Sequence, residues 1–319
     1  MNSKLKSILK ISLPLLLSVV AVWYSFSIIP FGSLVGSFKE ANYSWVILGT
    51  FLGLLSHLSR AYRWRFQLEP MGYNIKLGNS VMAVFATYLI NYTVPRAGEI
   101  ARASILTNYE GVPFEKSFGT IVSERIADMV VMLVIIAVTL FLQYDFIFTK
   151  LSESIAPLKI LIGAIAGLIL IVIIILIIRK AQSKIALKIK SFAMGLVEGI
   201  LSIFKMKKKW PFIFHTLFIW GMYILMFYVT SLSIPEITNI PFAAILIGFI
   251  LASFSIAATN GGIGSYPLAI YAAFSIFNIP EDPSIAFGWI MWTSQTLMII
   301  LFGGFSLFYL PFYNRNHSK

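Results

Sequence analysis

Asn91-Tyr92-Thr93-Val94-Pro95-Arg96-Ala97-Gly98-Glu99-Ile100-Ala101-Arg102 sets three charges, a proline and a glycine inside a chain that otherwise reads as membrane. The apolar run before it, 80–94, has about 15 residues, whereas a helix needs about 20 to cross a ~30 Å hydrocarbon core. The length predicts a segment that enters the bilayer and turns back. Pro95 suits a first helical turn, where its missing N–H is no loss, and Gly98 admits a close approach by backbone or ligand. A second arm over 100–106 then completes a re-entrant hairpin spanning 80–106. Its N-terminus would aim unpaired N–H groups and a partial positive charge into the membrane interior beside Arg96, which is a site for an anion.

The rest of the chain agrees with a membrane solvent. Its 319 residues are 58% hydrophobic and 12% charged, with a mean hydropathy of +0.85, values of a polytopic membrane protein rather than a soluble domain. There is no cysteine, which excludes disulfides, thiolate metal sites and cysteine nucleophiles. The net charge of +12 invites a nucleic-acid reading, but its distribution follows membrane topology instead. No nucleic-acid partner is expected.

Taken in order, Lys4, Lys6 and Lys10 precede an apolar run over 11–31, long for a signal peptide and without a convincing cleavage site. It is read as a retained first span. A second span over 45–59 ends in Arg60-Ala61-Tyr62-Arg63-Trp64-Arg65, read as an anchor at the cytoplasmic interface. His57 is read as a packed helix residue. After the hairpin, a third span covers 117–144 and a fourth, rich in Ile and Leu, 158–178. Residues 179–209 place Ile185, Ile189, Phe192, Leu196, Ile200 and Phe204 at helical spacing opposite a Lys-rich face. That pattern fits either a helix lying on an anionic leaflet or a helical linker docked on other spans. A fifth span over 211–232 leads to a second short apolar run, 241–258, and then Thr259-Asn260-Gly261-Gly262-Ile263-Gly264. A return arm over 268–277 and a last span over 284–310 follow.

The expected fold is therefore an all-α polytopic membrane protein with about six transmembrane helices and two re-entrant hairpins. It forms one membrane domain over 1–319. A first half, 11–144, contains the hairpin 80–106; 145–210 holds the fourth span and the basic interfacial helix; a second half, 211–310, contains the hairpin 241–277. The two halves run in opposite orientation, as in inverted-repeat transporters whose broken helices meet near the midplane. With both termini cytoplasmic, all Lys and Arg lie inside except Arg96, Arg102 and Arg125 at membrane depth and Lys39, Lys150 and Lys159 outside. This is the positive-inside asymmetry and places the chain in the cell membrane.

Charge near the bilayer centre costs about 2.5–3.5 kcal/mol per residue on insertion scales, so Arg96, Glu99, Arg102, Glu124, Arg125 and Asp128 must face protein or water. Glu124 and Asp128, spaced i, i+4, share a helix face. Two readings stand: a buried ion-pair network that locks the hairpin to the third span, or a polar pocket for a charged headgroup. They overlap, because arginines held by carboxylates are preorganised for phosphate. At the second tip, Thr259, Asn260, Gly261, Gly262 and Gly264 are either turn chemistry between short helices or a membrane-buried tip whose backbone N–H groups and Thr259 and Asn260 side chains meet a ligand or the first hairpin. No Gly-Lys-Ser/Thr follows, so the run is no phosphate loop.

Pro95-Arg96-Ala97-Gly98-Glu99, Glu124-Arg125 with Asp128, and Gly261-Gly262-Ile263-Gly264 together resemble the flippase-like domain of the lysylphosphatidylglycerol synthase transmembrane family, over nearly the whole chain. The family pattern at the last motif is Pro-Gly-Gly-Leu-Gly followed by an aromatic residue and a glutamate. Here Asn260 stands for the proline and Pro267 for the glutamate, which removes the glutamate's role and points to a different substrate. The resemblance implies a domain that moves lipid between leaflets. The aminoacyl-transferase domain of full-length synthases has no counterpart, so lysine transfer is not expected.

The leading expectation is a translocase for a lipid with an anionic headgroup, a phospholipid or a polyprenyl-phosphate-linked lipid. Its substrate-binding candidates are Arg96, Gly98, Glu99, Arg102, Glu124, Arg125, Asp128, Thr259, Asn260, Gly261, Gly262 and Gly264. The alternative is an integral-membrane lipid-modifying enzyme using Glu99, Glu124 and Asp128. Against it, Asp-x-Asp and Gly-x-Ser-x-Gly are absent, and His57, His215 and His317 lie far from the carboxylates in sequence. A scaffold for a partner transferase has no positive signal. No catalytic residue, metal or cofactor is expected, and the sequence leaves the oligomeric state open, a homodimer included.

Overall fold

The computed structural model describes residues 3–94, 97–144, 149 and 206–315, and within those residues it is helical, without strands. The expected fourth span and most of the basic segment 179–209 lie outside the described residues, as do Pro95 and Arg96. The chain divides into two compact units, Met1–Glu124 with Trp210–Lys319, and Arg125–Lys209.

The larger unit begins with α1 (Ser3–Ile28) and α2 (Phe31–Glu40), whose axes are bent by 85°. Pro30 causes the break. It cannot donate to the ladder of α1, it disfavours helical geometry at Ile29, and it opens α2 with φ −58° and ψ 133°. Asn42 then caps α3 (Tyr43–Leu68), its side chain accepting from Ser44 N at 3.1 Å. A 3₁₀ turn leads into α4 (Leu77–Thr93) and α5 (Ala97–Glu110), an antiparallel pair. These arms extend the hairpin read over 80–106 by a few residues at each end. α6 (Phe114–Leu142), α7 (Lys209–Ser231), α8 (Phe242–Ala258), α9 (Ser265–Ser275) and α10 (Glu281–Asn314) follow, with α8 and α9 again paired.

α6, α7 and α10 are long and apolar enough to cross a membrane, and α1 with α2 makes a fourth if the bent pair is one span. α3 is long enough at 26 residues, but Arg60, Arg63 and Arg65 in its last third make it more polar. α4 and α8 have 17 residues each, below the ~20 needed to span.

α10 is the post on which the larger unit is built. It packs against α2, α3, α4 and α9. Ile299, Gly303, Ser306, Leu310 and Asn314 form its buried face, while Leu297, Leu301, Phe305, Phe308 and Phe312 are exposed on the other. That apolar exterior is what lipid, rather than water, solvates. A methyl added at Gly303 would sit 2.7 Å from Leu89 Cβ and 2.9 Å from the Phe85 carbonyl, so the glycine is what lets α4 lie against α10. At one end of this contact the buried amides of Asn79 and Asn314 pair reciprocally at 2.9 and 2.7 Å. Trp64, Leu68, Ile75, Met82, Ala83, Ala103 and Leu106 fill the space among α3, α4 and α5. In the smaller unit, the second half of α6 exposes Leu133, Val134, Val138 and Phe141.

Because a buried amide left without its partner costs about 1–3 kcal/mol, N314L is expected to lower the thermal unfolding midpoint in detergent. N79L/N314L is expected to recover part of the loss. A midpoint for N314L equal to wild type would contradict the pairing.

Candidate functional site

Three arginines converge on one carboxylate inside the larger unit. Arg60 and Arg63, at i and i+3 on α3, share the face turned to the interior, Arg102 reaches in from α5, and Glu124 comes from α6. Arg60 Nη1 lies 2.8 Å from Glu124 Oε1, Arg63 Nη2 lies 3.5 Å from the same oxygen, and Arg102 grips both oxygens at 3.2 and 3.1 Å. None of the four side chains is more than 4% exposed. Arg63 Nη1 also donates to Thr216 Oγ1 of α7 at 2.8 Å, and the Arg102 guanidinium lies 3.9 Å over the Trp64 ring. Trp64 is itself fixed by donating from Nε1 to Thr120 Oγ1 at 2.8 Å. Arg63 rests on Phe212 at 5.2 Å.

Arginine suits this place. Its planar fork matches a carboxylate or phosphate bidentately, stacks on aromatic faces, and stays charged when buried. Formally the three guanidiniums outnumber the Glu124 carboxylate that they meet. Desolvated guanidiniums held in fixed directions have the geometry that pairs with an oxyanion, here the Glu124 carboxylate.

The cluster corrects one expectation. Arg60, Arg63 and Trp64 are 3%, 0% and 0% exposed, and so do not anchor the protein at the interface as the sequence suggested. Their partner Glu124 is 64 residues away from Arg60, a distance that local pattern does not bridge. The signal that was present is the i, i+3 arginine pair continuing an apolar helix without a break. Arg102 and Glu124, both expected at the site, are brought together. Arg125 is exposed.

At the first hairpin tip, Gly98 N donates to Asn91 Oδ1 at 2.9 Å, and Asn91 Nδ2 approaches both oxygens of Glu99 at 3.4–3.5 Å. A Cβ at Gly98 would run into the Thr87 carbonyl and the Asn91 side chain. Gly98 thus serves the close crossing of α4 and α5, and Glu99 lies beside Asn91.

The second tip is built against the first. Gly261, Gly262 and Gly264 have φ of +66°, +79° and +69°, a region that costs any residue with a Cβ. The resulting turn puts Asn260 Nδ2 2.7 Å from the Tyr92 carbonyl, at the end of α4. The Tyr92 ring lies where a Gly261 side chain would be, and its hydroxyl pairs with Thr296 Oγ1 at 3.2 Å. Trp292 Nε1 donates to the Gly261 carbonyl at 2.8 Å. Gly264 backs onto the α1 backbone at Val22. Thr259 Oγ1 binds the Ser255 carbonyl and Ser265 Oγ, both at 2.7 Å, closing the turn. The two tips therefore touch each other through Asn260, whose contact with the first hairpin was one of the two expected from the sequence.

Comparison with known proteins adds a family. The model of the family described as "Lysylphosphatidylglycerol synthase TM region" matches residues 11–304. Among curated proteins, the chain is 27% identical to a UPF0104 membrane protein of Methanocaldococcus jannaschii, over 77% of this chain and 78% of that one.

Removing one member of a buried ion pair costs about 3–5 kcal/mol, because the remaining charge loses its compensation. E124Q is therefore expected to lower the thermal unfolding midpoint more than any single surface substitution. R102K, which keeps the charge but loses the fork, should fall between E124Q and wild type. An unfolding curve of E124Q superimposable on wild type would show that the cluster is not held as described.

Proposed function

The chain belongs to the lysylphosphatidylglycerol synthase transmembrane family, and from that premise we propose that it is a lipid translocase for a cargo with an anionic, phosphate-containing headgroup. The observation that supports this most is the convergence of Arg60, Arg63 and Arg102 on Glu124, buried between helices. Positive charge at that depth attracts an anion that water would otherwise solvate. The lipid phosphate takes the place of the solvent, and Glu124 holds the guanidiniums apart and oriented until it arrives. Arg96, which lies outside the described residues, is carried in this reading as a phosphate-binding partner of Arg102.

The helix pairs α4/α5 and α8/α9 act as re-entrant hairpins entering from opposite sides, within six spans arranged as an inverted repeat in the cell membrane, both termini cytoplasmic. The contact of Asn260 with Tyr92 supports this reading, because broken helices meeting near the midplane are the moving parts of inverted-repeat transporters. Lipid modification is disfavoured by the engagement of both Glu124 oxygens by guanidinium groups, since a general base needs an oxygen within reach of the proton it takes.

The test is leaflet distribution together with lipid mass in proteoliposomes containing fluorescent lipids of varied headgroup. Wild type is expected to redistribute anionic lipids with unchanged masses. G262L, forced into a left-handed backbone against Ile256 and Tyr266, should block redistribution. A new lipid species made by wild type and lost in E124Q would replace the translocase with an enzyme.

A further inference from the structure

The geometry points to a polar track along one face of α3, from Gly49 to the arginine cluster, along which the headgroup crosses the membrane interior. The inference rests on the translocase reading and names the path that reading requires. Gly49, Gly53, His57 and Arg60 recur at i+4, i+4 and i+3, so they line a single helix face. At about 1.5 Å per residue they cover about 16 Å, roughly half of a ~30 Å hydrocarbon core.

Polar groups face this stripe beside Met226 and Phe85. Thr230 Oγ1 of α7 projects onto Gly49, and Gln295 Oε1 of α10 onto Gly53, each so close that a side chain on the glycine would collide with it. The His57 ring lies 4.5 Å from Tyr88 and 6.0 Å from Tyr223, measured between centroids. One turn further on, Arg60 meets Glu124 at 2.8 Å.

Close helix packing explains two glycines spaced four apart, but it does not explain their neighbours. Thr230 Oγ1, Gln295 Nε2 and His57 Nδ1 are all buried with no hydrogen-bond partner among the described residues. Thr230 is 0% exposed and His57 7%. A buried polar atom left unpaired costs about 1–3 kcal/mol, and helices in lipid retain such groups on ion and substrate pathways. Three in succession along the α3 stripe, contributed by α7, α10 and α3 itself and ending at buried arginines, form a ladder of hydrogen-bonding groups. The ladder needs a polar occupant, and a headgroup with its water satisfies each rung in turn, while the acyl chains stay in lipid.

The experiment uses the cysteine-free full chain in proteoliposomes, with single cysteines and a charged, membrane-impermeant thiol reagent. T230C, Q295C and H57C are expected to react at rates within about tenfold of the exposed control K116C, while A103C in the apolar core does not react. Leaflet redistribution is measured in parallel for wild type, Q295L and H57F, and Q295L should slow it by about tenfold or more. Track cysteines as inert as A103C, or a Q295L rate equal to wild type, would overturn the track. If wild type moves no lipid at all, the translocase reading fails, and thiol reactivity alone then decides whether the stripe is a polar passage.

Discussion

Burying a guanidinium inside a membrane protein is the constraint from which the larger unit takes its form. Arg60, Arg63 and Arg102 are tolerable because Glu124 is brought to them and because Thr216, Trp64 and Phe212 lie against Arg63 and Arg102. Four helices must therefore meet at one point: α3 for two arginines, α5 for the third, α6 for the carboxylate and α7 for the threonine. The hairpin that delivers Arg102 is short, and its crossing is made possible by Gly98. Loss of any of these contacts would leave charge without compensation where water cannot supply it.

A second requirement is that the two hairpin tips meet. The first ends α4 at Tyr92, and the second must turn within a few residues and still present a side chain to it. Three left-handed glycines make that turn, and Asn260 makes the contact. A proline at position 260 would have no amide to donate, so the asparagine here creates a tip-to-tip hydrogen bond of its own. Trp292 and Thr296 on α10 hold both tips from behind. The tips are thus clasped by hydrogen bonds together with the Tyr92 ring packed against Gly261.

Much of this was legible in the sequence for physical reasons. The helix pairs α4/α5 and α8/α9 fall where apolar runs too short to span were interrupted by Pro95 with Gly98 and by the glycines after Asn260. Arg102 and Glu124 stood out because charge inside apolar runs needs a cause. Other features were hidden by distance. Arg60 and Arg63 read as an interfacial anchor, since basic and aromatic residues at a helix end have that role more often, and nothing local reveals a carboxylate on α6. The bend at Pro30 was absorbed into the first span, although a proline followed by Gly32 marks it. Gly49 and Gly53 say little alone; their meaning depends on Thr230 and Gln295, which the fold brings from α7 and α10.

In the proposed translocase, the buried arginines bind the anionic headgroup. Native mass spectrometry of the protein released from mixed bilayers of phosphatidylglycerol and phosphatidylcholine tests it most directly. Wild type should retain phosphatidylglycerol in preference, and R102Q should lose that preference while remaining folded. Equal retention of the two lipids by wild type, or an undiminished preference in R102Q, would contradict it.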